Sequence, residues 1–285
     1  MSIDVVGVIG AGQMGQGIAQ VAAQAGVGVR LLDVDEATAE NGIEKIAKRL
    51  GRLVEKGKLE ADGRTAALKN LRPTGDYGDL ADADLVVEAA TENEPLKLRI
   101  MALADEAAKD GALLASNTSS ISITKLAAAT TRPERVMGMH FMNPVPIMKL
   151  VELVRALQTS DETYAAVRAF SERLGKTTIT SKDRPGFIVN RMLIPFINEA
   201  CFALSEDLGT PEDIDAGAKL GLNHPLGPLA LADLIGLDTC LAIAEVLHRE
   251  LGDDKYRPAA LLRNYVAAGW LGRKSGRGFY TYGDR

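Results

Sequence analysis

The chain of 285 residues is 46% hydrophobic and 25% charged, near the average of globular proteins, which excludes a disordered tail and leaves room for about two domains. Its net charge of −5 offers nucleic acid or an anionic membrane no overall attraction, so neither is expected as a partner. No stretch reaches the ~18 uninterrupted apolar residues of a membrane span, no secretory signal is legible, and Cys201 and Cys240 stand far apart outside any CxxC context. A cytoplasmic protein with reduced thiols and no metal site is expected.

In chain order, VVGVI, VRLLD, DLVVEA, ALLASN, RVMGMH and KLVELV are short, near-continuous apolar runs, the pattern of strands buried on both faces of a parallel sheet. Helix-length stretches such as 12–24 and 95–109 separate several of them. This alternation predicts a doubly wound α/β domain of Rossmann type over residues 1–184. Beyond Asp-Arg-Pro-Gly (183–186) helical periodicity takes over, and Thr210-Pro211 supplies a cap and first helical residue. An all-α domain is expected over 185–285.

The first strand runs directly into Gly10-Ala-Gly12-Gln13-Met14-Gly15 and then a helical pattern. A bare GxGxxG is weak, but here strand, turn and helix follow in order, and Asp33 ends the next strand roughly 20 residues on. Gly10 permits the tight turn, Gly12 lets the backbone approach a pyrophosphate, and Gly15 lets helix and strand pack closely. The helix start offers N–H groups and partial positive charge to an anion. Asp33 suits two ribose hydroxyls and repels a 2′-phosphate, and Val34 and Asp35 supply no cation for one. NAD is therefore favoured over NADP.

A dinucleotide fold specifies a cofactor and not a reaction. Among three histidines, His248 has charged helical neighbours and His224 lies in a loop that it could simply close. His140 ends a strand, where ligands of open α/β sheets bind, and could exchange a proton with an alcohol. Glu152 lies inside apolar KLVELV, which is costly without a partner; orienting His140 would supply one, and an exposed place on an edge strand is the other reading. Ser119 and Asn117 follow another strand, as substrate or ribose contacts or as ordinary turn residues. Asn190 sits in an apolar helix, where a buried amide needs partners. In 42–58, Lys45, Lys48, Arg49, Arg52 and Lys56 share one helical face, a stripe for an anionic handle or the solvated side of an amphipathic helix.

The stretches VIGAGQMGQGIA, VVEAATENEPLK, SNTSSISIT, GMHFMNPVPIMKLVELV, RPGFIVNRMLIPFINEA, HPLGPLALADLIGLD and GRKSGRGFY span nearly the whole chain. Together they resemble the short-chain L-3-hydroxyacyl-CoA dehydrogenase family, in particular its bacterial 3-hydroxybutyryl-CoA group. The resemblance implies reversible NAD-linked oxidation of a 3-hydroxyacyl-CoA to the 3-oxoacyl-CoA. It implies His140 as acid/base with Glu152 as its partner, and Ser119 and Asn190 as substrate-positioning residues. Glu92, Lys97, Asn117, Asn143 and Lys274 would surround the cofactor, beside Gly10, Gly12, Gln13, Met14, Gly15 and Asp33. Arg52 and Lys56 would meet the CoA phosphates, and the helical domain would hold a homodimer. Two readings on the same scaffold stand beside it: a dehydrogenase of a free hydroxy or sugar acid, and a non-catalytic NAD-binding protein.

Overall fold

Apolar runs too short for helices line up as one sheet in the computed structural model, which describes residues 2–283. Its strands are Val5–Ile9 (β1), Gly28–Leu32 (β2), Leu71–Thr74 (β3), Leu85–Glu88 (β4), Leu113–Ser116 (β5), Val136–Phe141 (β6), Leu150–Arg155 (β7) and Thr177–Lys182 (β8). Their order is β3-β2-β1-β4-β5-β6-β7-β8. Strand order reverses between β1 and β4, and a ligand of such a sheet binds there, beyond the carboxyl ends. β4, β5 and β6 are buried along their whole length, which their near-continuous apolar sequence requires.

The sheet departs from the expected set in two ways. It is not parallel throughout: β7 runs antiparallel to β6 and parallel to β8, so β7 is interior. Two edge strands, β3 and β8, carry no apolar run. β3 holds Pro73, which an edge strand tolerates because one side needs no N–H donor. β8 is the Thr-rich TTITSK, half-exposed.

The helices of this first unit are Gln13–Gln24 (α1), Glu36–Glu55 (α2), Ala61–Lys69 (α3), Glu94–Ala107 (α4), Ile123–Ala128 (α5) and Asp161–Arg173 (α6). Asp35, Asn93, Ser122 and Ser160 cap α2, α4, α5 and α6 by accepting first-turn N–H groups. Gly12 caps α1 with no side chain, leaving those amides to another acceptor. The core gathers Val6, Val8, Ile18, Val29, Leu31, Leu85, Val87, Leu113, Met139 and Leu153 between sheet and helices.

The chain divides into two compact units at Arg184 and Pro185. The second holds Val189–Ser205 (α7), Pro211–Ala216 (α8), Pro228–Ile235 (α9), Leu237–Leu251 (α10) and Ala260–Ala267 (α11). Thr210 caps α8 ahead of Pro211. Ile194, Ile197, Leu229, Leu237, Leu247 and Leu262 form its own core. Cys201 and Cys240 lie in that core as free thiols. Burial pushes both upward, Cys240 to about 12, so neither is a reactive thiolate. Among the described residues no helix is long and apolar enough to cross a membrane.

Candidate active site

The turn between β1 and α1 is shaped by its glycines. Gly10 has φ of 104°, and a Cβ on it would lie 2.7 Å from the Ala89 carbonyl oxygen, so glycine lets the loops after β1 and β4 touch. A Cβ on Gly15 would lie 1.7 Å from the Gly10 carbonyl oxygen. At Gly12, in contrast, no protein atom lies within 4 Å of a built Cβ. The turn is therefore closed toward the protein and open at Gly12, at the amino end of a helix with uncapped amides, which fits a pyrophosphate. Asp33 follows the last residue of β2, with one oxygen accepting the Ala11 N–H at 2.5 Å and the other the Val34 N–H at 2.7 Å. That carboxylate fits ribose hydroxyls beside the same turn.

Across the switch point, the loops after β4 and β5 are bound to each other. Glu92 Oε1 accepts the Thr118 hydroxyl at 2.6 Å, the Ser119 and Ser120 N–H groups at 3.0 Å, and the Ser120 hydroxyl at 2.9 Å. The Ser119 hydroxyl also reaches it, at 3.2 Å. Burial raises the Glu92 pKa, but the Lys97 charge and these donors outweigh it and hold the carboxyl below its ordinary range. Lys97 is itself buried: its Nζ lies 2.6 Å from Glu88 Oε1, 3.0 Å from the Ala90 carbonyl oxygen and 3.5 Å from Glu92 Oε2.

His140 and Glu152 are direct cross-strand partners of β6 and β7, so their side chains leave the same face. The interior place of β7 leaves Glu152 fully buried, which removes the edge-strand reading. His140 Nδ1 stands 2.6 Å from Glu152 Oε2. An ionised carboxylate only accepts, so Nδ1 is the protonated nitrogen in this contact. Asn117 Oδ1 accepts the Phe141 N–H at 2.9 Å, tying the β5 loop to the residue after His140. Gln13 Nε2 donates to Asn143 Oδ1 at 3.0 Å, tying the phosphate turn to the loop after β6. Met14, next to Gln13, is half-buried against the core.

The structure thus brings Gly10, Gly12, Gln13, Met14, Gly15, Asp33, Glu92, Lys97, Asn117, Ser119, His140, Asn143 and Glu152 to the carboxyl end of the parallel strands. Asn190 lies buried in the first turn of α7, and Lys274 Nζ donates to Asp238 at 2.7 Å, both in the second unit. The basic stripe needs correction. α2 starts at Glu36, earlier than the spacing suggests, and Lys56 follows its last residue. Lys45, Lys48, Arg52 and Lys56 are exposed, but Arg49 turns inward and donates to Gln20 at 3.0 Å and Gln16 at 2.9 Å. Burial lowers its pKa.

Residues 5–184 match the family described as 3-hydroxyacyl-CoA dehydrogenase, NAD binding domain, and 186–282 match its C-terminal domain. The chain belongs to the 3-hydroxyacyl-CoA dehydrogenase family. It is an NAD-dependent oxidoreductase with a Rossmann-type first domain and a helical second. It is 52% identical over 285 residues to a probable 3-hydroxybutyryl-CoA dehydrogenase of Bacillus subtilis, covering 100% of this chain and 99% of that one. It is 54% identical to the 3-hydroxybutyryl-CoA dehydrogenase of Bradyrhizobium diazoefficiens, over 97% of this chain and 94% of the relative. The crystal structure of (S)-3-hydroxybutyryl-CoA dehydrogenase from Ralstonia eutropha superposes with a TM-score of 0.96 at 55% identity, covering 99% and 100% of the two chains.

Glu88 and Ser116, which end β4 and β5 beside these loops and bond to each other at 2.5 Å, were not singled out from the sequence. Glu88, which ends the apolar run of β4, carries a signal like that of Glu152 inside β7, a carboxylate among apolar residues, and that signal could have found it.

Proposed function

We propose that this dehydrogenase interconverts (S)-3-hydroxybutyryl-CoA, or another short-chain 3-hydroxyacyl-CoA, and acetoacetyl-CoA or the corresponding 3-oxoacyl-CoA, with His140 and Glu152 as the acid/base pair. The observation that carries this reading is the 2.6 Å contact between His140 and a fully buried Glu152 beside the dinucleotide turn. Bound NAD supplies the hydride acceptor for C3 of the alcohol. In the oxidation, His140 Nε2 takes the hydroxyl proton as the C3–H bond gives up its electron pair. Glu152 keeps the ring oriented through Nδ1 and stabilises the imidazolium that forms. In the reverse direction the imidazolium returns that proton to the developing alkoxide.

Ser119 holds the substrate's 3-oxygen by turning its hydroxyl away from Glu92, and Asn190 orients the thioester region. The exposed Arg52 and Lys56 hold the phosphates of CoA. A homodimer through the helical domain is supported by Leu208, Leu220 and Leu222, which are 78%, 85% and 69% exposed there. The free thiols of Cys201 and Cys240 agree with a cytoplasmic setting.

The test is NADH oxidation by the purified protein with acetoacetyl-CoA or free acetoacetate at equal concentration. Turnover of the thioester alone is the expected result. Equal turnover of both would transfer the activity to a free hydroxy acid, and NADH binding without turnover of either would indicate a non-catalytic protein.

A further inference from the structure

Glu88 is wholly buried at the last position of β4, and each carboxylate oxygen is engaged. Oε1 accepts Lys97 Nζ at 2.6 Å and the Ala90 N–H at 2.6 Å, while Oε2 accepts the Ser116 hydroxyl at 2.5 Å. Ser116 ends β5, and its oxygen in turn accepts the Thr118 N–H at 3.2 Å. Lys97, on α4 and 1% exposed, reaches from Glu88 to the Ala90 carbonyl and toward Glu92. One carboxylate therefore joins the loop after β4, the loop after β5 and the helix that follows the first loop.

Packing gives no reason for this arrangement. Apolar residues of the same volume would fill the space as well, and often more stably, because two charges taken from water lose their hydration. What the charges add is direction. The Glu88 backbone carbonyl also accepts the Asn117 N–H at 2.7 Å, so the Asn117–Ser120 turn is tied at one end to β4 and at the other to Glu92 in the loop after it. We propose that Glu88 is a positioning residue for the reaction: through Lys97 and Ser116 it fixes the Glu92-centred turn that presents Ser119. This rests on the reading of Ser119 as a substrate contact. In a sheet of this topology, the half of the dinucleotide beyond the phosphate turn lies over β4 and β5, away from Asp33. Glu88 therefore acts chiefly on the nicotinamide side, its one bond toward the phosphate turn being that from the Ala90 N–H beside Gly10.

The experiment compares Glu88→Gln with wild type in three readouts: kcat and KM for acetoacetyl-CoA, the Kd of NADH by fluorescence, and the Kd of ADP-ribose by calorimetry. The expected result is a kcat lower by about tenfold or more, as for a small misplacement of reacting groups. NADH should weaken by about fivefold, the loss of one well-made hydrogen bond, with ADP-ribose within about twofold of wild type. An equal loss of NADH and ADP-ribose would reduce Glu88 to a general stabiliser and overturn the proposal, as would an unchanged kcat. Where Glu88→Gln gives no folded protein, Ser116→Ala decides, since it cuts the Oε2 arm together with the Thr118 N–H bond that this arm relays, and leaves the Lys97 arm intact: it should shift kcat and NADH the same way, less strongly, and wild-type values would overturn the proposal. Absence of acetoacetyl-CoA turnover in the wild type is a separate failure, of the substrate reading, and the comparison of NADH with ADP-ribose still tests Glu88.

Discussion

His140 and Glu152 are held opposite each other by the antiparallel ladder of β6 and β7, not by a loop, with Nδ1 and Oε2 2.6 Å apart. Neither strand can slip by one residue without sending its side chains to the other face, so the pairing is built into the sheet register. His140→Ala should keep NADH binding and lose turnover by about 10²–10⁴-fold, the usual contribution of a positioned acid/base. Glu152→Gln should lose at least about 10²-fold, because an amide can pair with either tautomer and does not stabilise the imidazolium. Steady-state kinetics with acetoacetyl-CoA checks both, and near-normal turnover of His140→Ala would remove it from the mechanism.

Asp33 has a second task that its motif does not announce. Accepting the Ala11 N–H, its carboxylate also braces the turn between β1 and α1. Asp33→Ala should therefore raise the KM for NADH and also raise the NADPH to NADH ratio of kcat/KM, by at least about tenfold (~1.4 kcal/mol), since a like-charge clash is removed. An unchanged ratio would show that another group rejects the 2′-phosphate.

Most of the sheet was legible because β1, β2, β4, β5, β6 and β7 are buried, and burial leaves an apolar run in the sequence. β3 and β8 were not, because an edge strand needs apolar residues on neither side of its ladder, and Pro73 and the threonines of TTITSK sit there at little cost. His140 stood out through scarcity and Glu152 through its apolar surroundings. Glu152's need for a partner pointed to His140, but the cross-strand register that joins them was not legible, since nothing in the spacing says that β7 turns back along β6. Arg49 misled for a related reason. Its spacing places it with the exposed lysines, but Gln16 and Gln20 of α1 draw it inward, and no periodicity in one helix reports the polar groups of its neighbour.

The two glycines of the phosphate turn should respond in opposite ways. Gly15→Ala sets a Cβ 1.7 Å from a backbone oxygen, where no side chain can yield, and should destabilise the protein by about 3 kcal/mol or more. Gly12→Ala meets no protein atom and has an ordinary φ of −71°, so its melting temperature should stay near wild type, within about 0.5 kcal/mol. Its NADH affinity should nevertheless fall, because the new methyl occupies the approach to the helix amides. Thermal melts and NADH titration of both variants separate the effects, and wild-type affinity in Gly12→Ala would displace the pyrophosphate from this turn.

Arg52 and Lys56 carry the CoA reading. Neutralising both to alanine should raise the KM for acetoacetyl-CoA by about tenfold with kcat little changed, the signature of binding that is equal in ground and transition states. A KM unmoved at low salt would remove the phosphate handle from this helix.

Glu92 makes stability at the site depend on pH in a defined direction. Burial works against its ionised form, but Lys97 and the donors of Thr118, Ser119 and Ser120 prevail and hold the folded-state pKa below the ordinary 4.5. A carboxyl depressed on folding stabilises the protein above its unfolded value, and that contribution is lost as pH falls through the folded value. Glu92→Gln removes the ionisable group while keeping its shape. It should melt below wild type at neutral pH, and the gap should close as pH drops below the ordinary 4.5 and through the lowered folded-state value. In the same range the Ser119 hydroxyl and the N–H groups of Ser119 and Ser120 lose their charged acceptor, so amide exchange there should accelerate in the wild type. A gap of constant size from neutral to acid pH would mean that the carboxylate's charge contributes nothing to holding this turn.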